Sequence, residues 1–315
     1  MLYINHMGID LGNFYLSLAT IMILIGIGWF LGKIKIFNNK AMVVLSNLVL
    51  SVVLPVAFFR AFPGEFSSDY LARFLWGFGA SIVVLGLQIL IATLVFNKKF
   101  SKKNAYEYKF AFVFNNTSFI GYPLVAAAFG QDGLVTYAGF MTPWVFFLFT
   151  YGVWLFKKNY TAKDTLKALI NPNIIGIVAG AILFFFSLQV PAVADRTLGA
   201  IAGLATPLPL FCIGFMLYEA KLKTIFKRWR VVVVCLMQLT IPPVLAWGLL
   251  HLVGAPHVVI SVVVLMLSLP TAAALGLFQK KFKTGKDADS EAGEIVALST
   301  ILSAGTVPLL VWILL

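Results

Sequence analysis

The sequence predicts an all-α membrane protein with ten transmembrane helices, arranged as two inverted repeats of five. Three observations carry that expectation. Hydrophobic residues make up 61% of the 315-residue chain and charged residues only 11%, whereas a soluble domain carries about a quarter charged residues. Apolar runs of about 20 residues recur along the chain, the length one helix needs to cross the hydrocarbon core. Basic residues then alternate between the loops that join these runs. Segments such as 21–31 and 231–237 are apolar all round, unlike the striped helices of a large soluble bundle.

The spans fall at 14–31, 41–61, 70–96, 110–129, 134–156, 173–190, 197–220, 231–253, 258–279 and 292–314. Of the 24 lysines and arginines, all but Arg60, Arg73 and Arg196 belong to the loops after spans one, three, five, seven and nine. A wrong span count would scramble this alternation. The positive-inside rule puts those loops in the cytoplasm, so a multi-pass protein of the cell membrane is expected, with both termini extracytoplasmic. The first span has no basic stretch ahead of it and no small-residue cleavage site, so no signal peptide is expected. The net charge of +12 needs no nucleic-acid partner. Lys98, Lys99, Lys102 and Lys103, or Lys227, Arg228 and Arg230, read as topology anchors against the anionic headgroups of the bilayer. Cys212 and Cys235 lie inside spans and mark neither a disulfide nor a metal site.

Ten spans divide into a first repeat, 1–156, and a second, 173–315, joined by a short cytoplasmic loop, 157–172. Because five is odd, the second set enters the membrane in the opposite sense, which is the arithmetic of an inverted repeat. Corresponding spans then share oddities. Spans two and seven carry Pro55 and Pro207 with Pro209, and spans four and nine are both interrupted near mid-length.

Span four holds Asn115-Asn116-Thr117-Ser118-Phe119-Ile120-Gly121-Tyr122-Pro123 at its centre. Hydrocarbon offers no partner to a freed backbone group, so such a break survives only inside protein or against a water-filled cavity. Asn104 and Glu107 have the spacing of a capping box that would start the helix. The helix is expected to run to about Asn115 and loosen through Gly121. Pro123 suits the first turn of a new half-helix, and Gly130 ends it. Span nine repeats the plan with Ser268-Leu269-Pro270-Thr271, Pro270 opening a half-helix through Phe278. Two half-helix N-termini then converge at mid-depth, and their N–H groups and dipoles favour an anion such as a carboxylate. The candidate substrate-binding residues are Asn115, Asn116, Thr117, Ser118, Gly121, Tyr122, Pro123, Ser268, Pro270 and Thr271.

Asn47, Gln88 and Gln238 are intramembrane amides at places the repeat does not match. Each reads at least as well as interhelical glue; Asn47 and Gln238 are candidates for a supporting shell behind the ligands. Pro55, Pro143, Pro242 and Pro243 read as kinks, and Gly176 with Gly180 as a close-packing pair.

No Asp, Glu, Lys, Arg or His lies in the central part of any span. An intramembrane carboxylate or histidine is the usual proton relay, so a mechanism without one is expected. Uniport, exchange and sodium coupling through carbonyls and hydroxyls stay open, and no cofactor is called for. The chain has no H-E-x-x-H or G-x-S-x-G motif. A secondary carrier for a small organic anion is therefore the leading expectation. A sodium-coupled symporter of the bile-acid type is the alternative, and a membrane-embedded enzyme or receptor ranks below both.

At these residues the chain resembles the auxin efflux carrier family. Its pattern N-x-x-F-x-G-x-P is met by Asn116, Phe119, Gly121 and Pro123. Pro270-Thr271-Ala272-Ala273-Ala274 is similar to the family's second crossover. Ser299, Thr300, Ser303, Thr306 and Pro308 are similar to its last span, and Pro207, Pro209 and Gly214 to its seventh. The resemblance covers essentially the whole chain. It implies two crossed broken helices, a homodimer formed through a scaffold domain, and an elevator-like transport domain carrying spans three to five and eight to ten. It also implies that Pro123 and Pro270 are the crossover prolines and Asn116 the binding-site asparagine. The short loop between spans five and six resembles bacterial members, which are associated with malate, malonate and other small carboxylates; an auxin-like substrate stays open behind these.

Overall fold

The computed structural model describes residues 11–62, 65–97, 100–101, 104–157, 159–220, 228–282 and 291–315. Lys98, Lys99, Lys102, Lys103 and Lys227, read above as anchors, lie outside the described residues. The described chain is helical throughout; its only extended pairing is one isolated antiparallel bridge, between Asn115 and Thr271.

Among the described residues, seven helical stretches are long and apolar enough to cross a membrane: Phe14–Lys33, Asn39–Phe59, Ser68–Val95, Thr117–Phe156, Ala192–Glu219, Trp229–Leu252 and Ala292–Leu314. Two shorter apolar helices, Pro172–Phe185 and His257–Leu267, accompany them. Large apolar side chains face outward along these helices, as at Leu16 and Trp312. In water such a surface would aggregate, but in a bilayer it is the solvated face.

In chain order the helices are α1 (Leu11–Lys33), α2 (Asn39–Leu48), α3 (Leu54–Phe59), α4 (Ser68–Val95), α5 (Ala105–Val113), α6 (Tyr122–Phe147), α7 (Val153–Phe156) and α8 (Ala162–Leu169). They continue as α9 (Pro172–Phe185), α10 (Ala192–Gly203), α11 (Pro207–Glu219), α12 (Trp229–Leu252), α13 (His257–Leu267), α14 (Ala274–Phe282) and α15 (Ala292–Leu314). Five-residue π turns link α2 to α3 (Val49–Val53), precede α6 (Thr117–Gly121) and link α6 to α7 (Leu148–Gly152). Pro143, Pro242 and Pro243 sit inside continuous helices. Span seven is not one helix, because Leu204 to Thr206 separate α10 from α11.

Glycines let backbones touch where helices pair. A Cβ on Gly176 would come within 2.2 Å of the Pro55 carbonyl, and one on Gly180 within 2.4 Å of the Phe59 carbonyl. The pair read as a close-packing motif therefore seats α9 on α3. The same device joins α4 to α6, through Gly77 and Gly139, and α1 to α11, through Gly28 and Gly214. Gly130 takes φ +56° and turns the chain inside α6, as expected of a terminator.

The expected capping box at α5 is not formed. Asn104 makes no side-chain cap bond, and its N–H donates to Ser101 Oγ at 3.1 Å. The fully buried Glu107 carboxylate instead accepts from the Glu291 N–H at 3.0 Å, at the start of α15. A carboxylate suits the positive end of that helix, so it serves the neighbour rather than its own first turn. The short loop before α9 holds the small helix α8, whose Thr161–Asp164 capping box is present. Lys157 donates to the Asp164 carboxylate at 2.7 Å and holds its pKa down at about 2.

Candidate functional site

Helix α5 stops at Val113 because the following residues leave helical geometry, with Phe114 extended at φ −112°, ψ 109°. Helix α13 stops at Leu267, and Pro270, lacking an N–H, cannot continue the hydrogen-bonding pattern. The two breaks then satisfy each other. Asn116 N–H donates to the Pro270 carbonyl at 2.6 Å, and Ala272 N–H donates to the Phe114 carbonyl at 2.8 Å. Backbone freed inside an apolar bundle thus finds its partners in the other break.

Side chains complete the brace. Asn115 Nδ2 donates to the carbonyls of Leu267 at 2.7 Å and Leu269 at 2.9 Å, closing the end of α13. Gln238 on α12 donates to the same Leu269 carbonyl at 2.7 Å. Gln88 on α4 donates to the Phe112 carbonyl at 2.9 Å, on the last turn of α5. Gln88 and Gln238 both read as amides that the repeat does not match, Gln238 also as a candidate for the supporting shell. Each instead comes from the long helix preceding a break and serves a carbonyl that the break exposes.

Two residues that sequence reasoning did not assign to the crossing also hold it. Tyr137 on α6, fully buried, donates its hydroxyl to the Thr117 carbonyl at 3.0 Å. Ser299 on α15 accepts from the Thr271 N–H at 3.1 Å and donates to the Val296 carbonyl. A phenol inside an apolar span and, for Ser299, a hydroxyl that resembles the family's last span were the signals, and neither names its partner.

The remaining candidates divide clearly. Asn115 Oδ1, Asn116 Nδ2 and Thr117 Oγ1 are buried and have no hydrogen-bond partner among the described residues. Ser118 and Tyr122 are half-buried, and Pro123 is buried in the first turn of α6, where it was expected. Gly121 is wedged against Leu269 and Tyr137; an added Cβ would lie 3.3 and 3.4 Å from their side chains. Ser268 turns its hydroxyl back to the Val264 carbonyl at 2.8 Å, and Thr271 points its hydroxyl toward the Ala111 carbonyl at 3.4 Å. Pro270 is buried in the extended crossing and does not open the next half-helix. Helix α14 begins only at Ala274, because the residues after Pro270 are spent pairing with the first break. Asn47 is exposed on the outside of α2, and Ser46 is the buried neighbour, so the structure does not bring Asn47 to the crossing.

Chemically the crossing is polar and built from amides, hydroxyls and backbone groups. Among the described residues no group of three or more His, Cys, Asp or Glu side chains could hold a metal ion. An amide N–H such as that of Asn116 can donate to a carboxylate oxygen, and the Thr117 hydroxyl can donate or accept.

A multi-pass helical bundle with two breaks stitched together in its interior is the architecture of a membrane carrier rather than of a single-helix anchor. Residues 13–313 match the family described as membrane transport protein, and the chain belongs to it, the auxin efflux carrier family. Among its relatives is an "Uncharacterized transporter" of Methanocaldococcus jannaschii, 25% identical over 263 residues, covering 80% of this chain and 84% of that one. An "Uncharacterized transporter" of Methanothermobacter thermautotrophicus is 22% identical over 306 residues, covering 93% and 96%. A protein of Rhizobium meliloti named "Putative malonate transporter" is 24% identical over 304 residues, covering 92% of each. Family and relatives alike are named as transporters rather than enzymes.

Proposed function

We propose that this protein is a secondary transporter of small organic anions, carboxylates of the malonate and malate class, working by alternating access. The observation that carries the reading is the row of unpartnered buried polar atoms on Asn115, Asn116 and Thr117. Leaving a buried polar group unpaired costs about 1–3 kcal/mol, a cost that a ligand meeting those atoms would offset. Asn116 Nδ2 is the donor for a substrate carboxylate. Thr117, Ser118 and Tyr122 complete its surroundings, while Gly121, Pro123, Ser268, Pro270 and Thr271 shape the backbone around it. The similarity to a relative named for malonate supports this substrate class.

The arrangement proposed is ten membrane passes in two inverted repeats, 1–156 and 173–315. They are joined by 157–172, with both termini outside the cell membrane. The strongest helix pairings support two interleaved units. One pairs α1 with α11 and α3 with α9; the other pairs α4 with α6 and α12 with α13 and α15. In this reading the first unit is the scaffold of a homodimer. The second, which carries both breaks, moves across the membrane as an elevator, with no proton relay inside its spans.

One observation favours sodium-coupled symport as a second reading. The carbonyl oxygens of Asn115 and Gln238, whose amide nitrogens both donate to Leu269, are themselves buried and unpartnered, as hard-cation ligands would be. Uptake of radiolabelled malonate and malate into liposomes holding the purified protein tests both readings. Uptake driven by membrane potential without sodium supports the electrogenic carrier. Uptake seen only with sodium supports the symporter. No flux of either acid removes this substrate class.

A further inference from the structure

Tyr137 stands beside the first break, at a point where the two helix units meet. It belongs to α6, in the unit that carries both breaks, while Phe58 lies on α3 in the other unit. The two rings are stacked across that boundary, with centroids 5.5 Å apart and planes 11° apart. Both side chains are fully buried.

The rest of the phenol faces residues of the proposed anion site. Its hydroxyl donates to the Thr117 carbonyl at 3.0 Å. Tyr122 meets its ring edge-on at 6.0 Å and 66°. A Cβ added to Gly121 would lie 3.4 Å from its Cε2. Thr117 opens the π turn that runs to Gly121 and directly follows Asn116. With the Thr117 carbonyl held, the Thr117 hydroxyl and the neighbouring Asn116 amide keep a fixed aim, and a ligand is spared the cost of ordering them. A phenylalanine at 137 would fill the same space but leave that carbonyl unheld.

We propose that Tyr137 is a positioning residue for the substrate anion, its hydroxyl fixing the first break and its ring seated by Phe58 of the other unit. This rests on the transport reading above and deepens it. The site is fully formed only while Tyr137 lies on Phe58, so its affinity depends on where the moving unit stands. Once the stack parts, the break loosens and the anion is held less tightly. The two sides of the membrane are then served by sites of unequal affinity.

Initial rates of malonate uptake into liposomes, measured over a range of concentrations, separate KM from the maximal rate and test the proposal. Tyr137→Phe keeps the ring and loses only the hydroxyl. KM should rise about ten-fold, as for one lost buried hydrogen bond, with the maximal rate little changed. A merely structural defect would do the reverse, lowering the maximal rate at an unchanged KM by removing working carriers. Phe58→Leu keeps the position apolar but removes the stacked ring, and KM should rise several-fold. In the double variant KM should be no higher than in Tyr137→Phe alone, because Phe58 acts only through the placement of that hydroxyl. An unchanged KM in Tyr137→Phe, beside normal uptake by the unaltered protein, overturns this proposal and leaves the transport reading standing. A double variant whose KM is the product of the two single effects overturns it as well. If the unaltered protein takes up neither malonate nor malate, the substrate class falls and this inference falls with it.

Discussion

The two breaks look alike in sequence, each a cluster of small polar residues and a proline inside an apolar span, yet they are spent differently. At the second, Ser268 bonds back to Val264, the Thr271 N–H goes to Ser299, and the Pro270 carbonyl receives Asn116. At the first, three successive side chains keep a buried polar atom without a partner among the described residues. Pairing backbone to backbone is what both breaks require to exist in an apolar interior. Only the first retains polar capacity beyond that requirement. In the proposed reading the difference gives them separate tasks: the second break braces the crossing, and the first is the place where a ligand is met.

The sharpest way to break that comparison is Asn116→Ala. Losing a hydrogen bond to a charged carboxylate, about 1.5–3 kcal/mol, should lower uptake about 10- to 100-fold. The thermal midpoint in detergent should hold or rise, because an unsatisfied buried amide has been removed. Normal uptake kinetics would take Asn116 out of the site. Its neighbour should behave in the opposite way. Asn115→Ala removes the donor to Leu267 and one of the two donors to Leu269, a loss of about 1–3 kcal/mol for two bonds. It should therefore lower the unfolding midpoint before anything else. An unmoved midpoint with lost uptake would exchange the roles of the two asparagines.

This division of labour was only half legible in the sequence. The polar interruptions, Pro123 and Gly130 could be read because each acts locally: a proline cannot donate, and a glycine accepts positive φ. The pairing of the breaks joins residues more than 150 positions apart, and no local pattern encodes which carbonyl takes which donor. Gln88, Tyr137 and Ser299 were therefore visible as polar residues but not as partners, and Gln238 as a candidate support without its partner. Local rules also misled where a distant group competed. Glu107 has capping-box spacing but is taken by the start of α15, and Pro270 is drawn into the crossing four residues ahead of α14. Asn47 was ambiguous because a lone amide does not reveal which face of its helix is buried, and the buried residue is Ser46.

A smaller effect separates the two glutamines. The Leu269 carbonyl has two amide donors, from Asn115 and Gln238, while Gln88 is the side-chain donor to Phe112. Side-chain hydrogen bonds inside membrane proteins are worth about 0.6 kcal/mol on average and up to about 1.7. Gln88→Leu should therefore destabilise by about 1 kcal/mol, above that average. Gln238→Leu should fall close to zero, because Asn115 still serves the carbonyl. Chemical or thermal unfolding in matched detergent reads the difference. A larger loss in Gln238→Leu would mean that the second break depends on α12 more than on its partner break.

The smallest expected effects lie at two serines, and they test the asymmetry from the other side. Ser299→Ala leaves the Thr271 N–H without its acceptor in a buried position, so a loss of about 1 kcal/mol is expected, the lower end of the cost of a buried donor left unpaired. Ser268→Ala removes a hydroxyl that only returns to the Val264 carbonyl. That carbonyl still accepts from the Ser268 N–H at 3.0 Å. Stability and uptake should both stay within error of the unaltered protein. A several-fold fall in uptake for Ser268→Ala, with an unchanged unfolding midpoint, would show that its hydroxyl leaves Val264 to meet the substrate. The second break would then be a ligand as well as a brace, and the two halves of the crossing would be functionally equivalent after all.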